Sequence, residues 1–205
     1  MNAGVDGCRG GWLVALGPPL RFELCSCWSE VAELTAACTR VAVDMPIGLP
    51  AAGQRRACDG LARRCLGPRR HSIFSAPARE YLHASRFCEV QGMSLQSFHL
   101  LPKVRQLDDW MTPQRQARVW EAHPELVFAR LAGTPLSHSK KTEAGRTQRL
   151  EWLGRPALPQ VSKRSLVNLD DLIDACALLW CASRPGPVWG GPQRDERGLL
   201  MQIHG

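Results

Sequence analysis

No stretch of this 205-residue chain is apolar for long enough to cross a bilayer. The longest such run, residues 175–182, falls far short of the ~18 residues a membrane span needs. No basic segment leading into an apolar one stands at the start, so the chain is expected to be soluble, unexported and cytoplasmic, with no membrane partner. No two of the nine cysteines form a CxxC. The closest pair, Cys25 and Cys27, falls on one face of an expected strand, which fits free thiols in a reducing compartment better than disulfides or structural zinc. There is no internal repeat, no coiled-coil heptad and no low-complexity tract. Lysine is scarce: 22 of the 26 basic side chains are Arg.

That imbalance directs attention to what is present. A formal charge of +7 and a pI near 9.2 favour an acidic partner. Arg is the side chain suited to bidentate phosphate contacts, which makes nucleic acid the natural candidate. The competing explanation is coding bias, since a chain rich in Arg, Ala, Pro and Gly is also what a GC-rich genome produces. At this length and 44% hydrophobic content the chain is expected to form one domain, residues 1–205, with a proper core.

The opening stretch, NAGVDGCRGGWLVAL (residues 2–16), reads as two apolar strands joined by a Gly/Cys/Arg turn, with Asp6 where the first strand ends. A carboxylate among apolar neighbours needs a cation or hydrogen bonds, although Asp-Gly is also a common turn-former. Residues 21–28 alternate as a third strand, and Ser29 is expected to cap a short helix leading into VAVD, an all-apolar strand suited to a buried parallel position. Asp44 then sits at that strand's carboxyl end, where α/β sheets place ligands.

Residues 53–88 change in composition, with Arg pairs at 55/56, 63/64 and 69/70, and are expected to form a helical, Arg-rich insertion or lid. Arg55, Asp59 and Arg63 have the spacing of a solvated salt ladder. A helical pattern over residues 94–118 is interrupted at Thr112-Pro113. VWEAH (119–123) reads as a strand with Val119, Glu121 and His123 on one face, and Pro124 opens a helix ending at Gly133. Lys140 and Lys141 lie in a polar loop before a helix over 142–153. Asn168 caps a last helix, DDLIDACALLWCAS, and residues 199–204 make an edge strand.

In that last helix Asp170 and Asp171 have a local explanation in the helix dipole. Asp174 lies a turn further in, among Ile173, Ala175, Cys176 and Leu178, and shares a face with Asp171. Asp6, Asp44, Glu121, Asp171 and Asp174 together form a set of acids that cannot all stay ionised without a counter-charge. Mg²⁺ or Mn²⁺ is the cation that hard oxygen ligands select, and such a set suits two-metal phosphoryl transfer. His123 has two readings, a proton relay beside Glu121 or a helix cap.

The order of elements and acids resembles the ribonuclease H-like fold, whose five-stranded mixed sheet, flanked by helices, gathers such carboxylates. More closely, GVDGCRGGW, VAVDMPIGLP, RRCLGPRRHSIFSAPAREY, WEAHPELVF, SKKTEAGRTQRL and DDLIDA look like the family known as domain of unknown function 429, usually described as predicted RNase H-like nucleases. The resemblance implies that Asp6 is the first-strand metal ligand, Asp44 the fourth-strand acid, and Asp171 with Asp174 the helix acids. Glu121 and His123 belong to the EAHPE motif.

The expected function is a Mg²⁺- or Mn²⁺-dependent nuclease acting on structured DNA or RNA, with Asp6, Asp44, Glu121 and Asp174 binding metal. Arg55, Arg63, Arg64, Arg69, Arg70, Arg79, Lys140 and Lys141 are expected to contact phosphate. A non-catalytic nucleic-acid-binding module is the alternative. An actin-like ATPase or kinase is a further one, disfavoured because a single set of strands fits the length. The oligomeric state is open, a homodimer included.

Overall fold

The computed structural model describes residues 1–162 and 165–205. The strands β1 (Asn2–Cys8), β2 (Gly11–Gly17) and β3 (Arg21–Cys25) form an antiparallel meander. The β1–β2 turn is tight because Gly11 holds φ +127, where a Cβ would meet the Cys25 carbonyl oxygen at 2.2 Å. Helix α1 (Trp28–Leu34) then carries the chain across to β4 (Arg40–Val43), which lies parallel to β1. β5 (Val119–Glu121) adds in parallel beside it, giving a mixed sheet in the order β3-β2-β1-β4-β5. Val41, Ala42 and Val43 are fully buried, as a central parallel strand covered on both faces requires.

Alternation along the strands sends Val5, Trp12, Val14, Val41 and Val43 to one face. There they pack with Trp28 and Val31 of α1 and with Leu101, Val104 and Leu107 of α3 (Leu95–Trp110). The break expected at Thr112-Pro113 is present: α3 stops at Trp110 and the short α4 (Pro113–Gln116) begins under a Thr112 cap. α5 (Pro124–Ala132) and α7 (Leu169–Ser183) cover the other face, against Leu13, Ala15 and Ala42. Gly4 and Asp6 point to this second face. At Gly4 the helix and strand backbones touch, for a Cβ there would lie 2.1 Å from the Leu179 nitrogen and 2.3 Å from the Ala175 carbonyl oxygen.

Three expectations need correction. Residues 53–88 are not simply a lid. Within them α2 (Ala57–Leu66) buries Cys58, Ala62 and Leu66 against Leu126 and Ala129 of α5 and against Met201 and Ile203, so it is a layer of the core. Asp59 belongs to no solvated ladder, being buried and bonded to Arg56. At α1 the cap position is Cys27, not Ser29, and Glu30 closes the turn instead by accepting from the Ser26 amide and hydroxyl.

Helix α6 (Glu143–Trp152) starts on a Thr142 cap, and α7 on an Asn168 cap with Asp171 completing a capping box. Of the strand expected over residues 199–204, only β7 (Ile203–His204) forms, paired with β6 (Val188–Trp189). All nine cysteines are free. Among the described residues no helix is long and apolar enough to cross a membrane.

Candidate functional site

β1 and β4 run side by side and in register, Val5 opposite Val43, so the residues that follow, Asp6 and Asp44, emerge together at the carboxyl edge of the sheet. The Asp44 amide donates to the Val5 carbonyl at 3.0 Å, fixing that pairing. Helix α7 lies directly on β1 and brings Asp171 and Asp174 to the same place. The four carboxylates line one cleft of about 470 Å³. The 3-10 turn Gly67–Ser72 forms a second wall through Pro68, Arg69 and His71, and Gln96 and Leu100 of α3 form a third.

The chemistry of these acids follows from their surroundings. Asp6 is 8% exposed and no side chain or amide among the described residues donates to it. Burial, then repulsion from Asp174 and Asp44, pushes its carboxyl well above the usual carboxylate range. Asp174 is 2% exposed and is pushed up to about 6 by burial, against the pull of Lys140. Lys140 Nζ donates to Asp174 Oδ2, while Asp174 Oδ1 is buried without any hydrogen-bond partner. Asp171 is raised by burial and steadied by the Asn168 amide, which donates to its Oδ2 at 2.8 Å. Asp170, one residue earlier, is held low: burial pushes it up, but bonds from Arg146 and Lys141 outweigh that.

Glu121 does not join this group. Arg56 donates to both its oxygens, at 2.6 and 2.7 Å, and the Ile47 amide adds a third bond at 2.7 Å. With both oxygens so engaged, Glu121 is half of a structural ion pair and not the metal ligand expected from its strand position. His123 is the helix cap: its Nδ1 accepts from the Glu125 amide at 3.2 Å, and its Nε2 lies 3.1 Å from the Ser72 carbonyl oxygen. Both ring nitrogens are thereby engaged, which removes the proton-relay reading.

The expected phosphate-binding residues divide three ways. Arg69, Lys140 and Lys141 line the cleft, and Arg55, Arg64 and Arg70 are exposed outside it. Arg63 is turned inward, donating to the Ile73 carbonyl at 3.0 Å and to Ser75 Oγ at 3.1 Å. Arg79 is corrected outright. Asp108 and Asp195 both pair with its guanidinium, so it is a tie between α3 and the C-terminal segment. The buried ion pairs of two residues escaped the sequence reading. Arg56 is 3% exposed, and Glu125, at the cleft wall, is met by the fully buried Arg149 at 2.6 Å. Their signal would have been partners far away along the chain, which no local pattern carries.

The donors suit Mg²⁺ or Mn²⁺ in kind: hard carboxylate oxygens, one of them buried with nothing bound to it. They are not arranged around an ion as they stand. Among the described residues no three His, Cys, Asp or Glu side chains are placed to hold a metal. A lysine ammonium sits against Asp174 instead.

The family described as "Protein of unknown function (DUF429)" matches residues 4–196 of the chain. No curated protein matches it, and no solved structure does.

Proposed function

The chain belongs to the DUF429 family, and because that description names no activity, we propose from the site itself that it is a divalent-metal-dependent nuclease built on a ribonuclease H-like sheet. The observation that carries the reading is the pairing of Asp6 and Asp174: two buried carboxylates on touching elements, with one oxygen unbonded, at the carboxyl edge of parallel strands. Structural acids in this protein do not look like that.

Asp6, Asp44 and Asp174 would hold Mg²⁺ or Mn²⁺, which supplies a water of lowered pKa and charge stabilisation for a phosphodiester. The chain's own residues do the rest. Asp171 is fixed by its capping box beside the acids. Arg69 and Lys141, both lining the cleft, would receive a phosphate backbone and orient it over the carboxylates. Nucleic acid is the substrate class that joins an acidic floor to a basic rim.

A second reading, a non-catalytic nucleic-acid-binding module, draws on Lys140, which already neutralises part of the acid floor. One experiment separates the two. Wild type and Asp6→Asn are assayed with Mg²⁺ and Mn²⁺ on single-stranded, duplex and branched DNA and RNA. Cleavage by wild type, lost by a factor of about 10² or more in the variant, is the expected result. Binding without cleavage by either protein overturns the nuclease in favour of the binding module.

A further inference from the structure

We propose that Lys140 is an exchangeable counter-ion: its ammonium stands in the place of a divalent cation in the metal-free protein, and metal binds by displacing it. The proposal rests on the metal reading above and assigns a further positioning residue to it.

Four observations lead there. Lys140 Nζ bonds Asp174 Oδ2, and among the described residues no other side-chain cation bonds Asp6, Asp44 or Asp174. The ammonium meets one oxygen of Asp174 and leaves Oδ1 buried and unbonded, so it compensates the floor without completing it. The Lys140 side chain is 37% exposed while that of Asp174 is 3% exposed, so the lysine can turn out to water from its loop between α5 and α6 without moving either helix. Arg56 and Arg149, which neutralise other buried acids, are 1% and 0% exposed and have no such exit. With the ammonium in place, no three side chains among the described residues are set to hold an ion, so metal entry requires the acids to close on it as the lysine leaves.

The exchange has a direction. A dication carries twice the charge and approaches carboxylate oxygens at roughly 2.0–2.1 Å for Mg²⁺, against about 2.7–2.9 Å for an ammonium hydrogen bond. The two cannot share Asp174 closely, because like charges repel across the same short distance. The neighbouring lysine takes no part: Lys141 is paired with Asp170, outside the set.

The test measures metal binding without substrate. Mn²⁺ affinity is determined by calorimetry on metal-free wild type and Lys140→Met. In parallel, amine labelling of Lys140 in wild type, read by mass spectrometry with Asp6→Asn as the control, is followed as Mg²⁺ is added. Lys140→Met should bind Mn²⁺ about tenfold tighter, the scale on which coupled sites interact. Lys140 labelling should rise with Mg²⁺ in wild type and stay constant in Asp6→Asn. Equal Mn²⁺ affinities, or constant Lys140 labelling with metal bound, overturn the exchange and leave the metal site standing. Mn²⁺ binding to neither protein overturns the metal site and the exchange together. The labelling arm decides on its own if the variant does not fold.

Discussion

Glu121, at 7% exposure, is as buried as Asp6, at 8%, and burial raises both carboxyls, yet the protein gives the two acids very different partners. Glu121 receives a bidentate guanidinium and an amide, and around it Arg56 also binds Asp59 at 2.5 Å. Glu125 has Arg149, and Asp108 and Asp195 share Arg79. Glu121 and Glu125 are each closed off by a planar fork that is itself buried, and Asp108 with Asp195 by one that is half-buried, the arrangement that low-dielectric surroundings demand of a permanent ion pair. On the other side Asp6 has no donor among the described residues and Asp174 has a single, half-exposed lysine. Burial alone therefore does not separate the two kinds of acid here; the completeness of their neutralisation does.

Breaking the first kind of site should be the most damaging. Arg56→Met leaves Glu121 and Asp59 buried without a cation, and urea unfolding should show a loss of about 3–5 kcal/mol. A loss below about 1 kcal/mol, the range of exposed pairs, would erase the distinction between the two regions.

The second kind of site should respond in the opposite direction. Asp174 lies at about 6 in the fold against an ordinary 3.8. Between those pH values the folded protein keeps a proton that the unfolded chain has released, so stability falls as pH rises through the window and the whole penalty is present above it. Metal-free Asp174→Asn should therefore equal wild type near pH 4 and exceed it by about 3 kcal/mol at pH 7. Under the proposed nuclease function, Mg²⁺-dependent cleavage should be abolished in the same variant. Denaturant midpoints across that pH range check the first part, and a variant less stable than wild type at pH 7 would make Asp174 a structural acid like Glu121.

The smallest effect belongs to the exposed cations. Arg64→Gln with Arg70→Gln should change stability by no more than about 0.5 kcal/mol. If these side chains reach a duplex, the slope of log affinity against log salt should flatten by about 0.9 for each phosphate they no longer neutralise. An unchanged slope would confine nucleic-acid binding to the cleft rim at Arg69 and Lys141.

Much of the framework was legible in the sequence because its signals are local. Thr112-Pro113, Pro124, Gly133, Thr142 and Asn168 all mark helix ends where the structure puts them. Asp44 was legible as the residue ending an all-apolar strand, and Asp174 as a charge inside an apolar helix. The pairings of arginines were not legible. Arg55 and Arg56 are adjacent in one basic stretch and carry no difference in pattern, but only Arg56 faces inward, toward a glutamate 65 positions later. Glu121 looked functional, and His123 kept a relay reading beside the cap, because a strand face and a polar side chain say nothing about what fills the other half of the bond. The 53–88 segment was misread for a similar reason, since its basic surface is visible locally and its packing against Leu126 and Ile203 is not.

Gly4 gives the cleft a fixed gauge. Where the α7 backbone rests on β1 there is no side chain between them, and a single methyl group would overlap main-chain atoms of Ala175 and Leu179 by more than an ångström. Side chains can yield by rotating; two hydrogen-bonded backbones cannot. Asp6 lies two positions along the same strand and Asp174 next to Ala175, so any shim inserted at Gly4 is transmitted to the gap between the two carboxylates. The spacing of the two buried carboxylates is thus dimensioned by the absence of an atom.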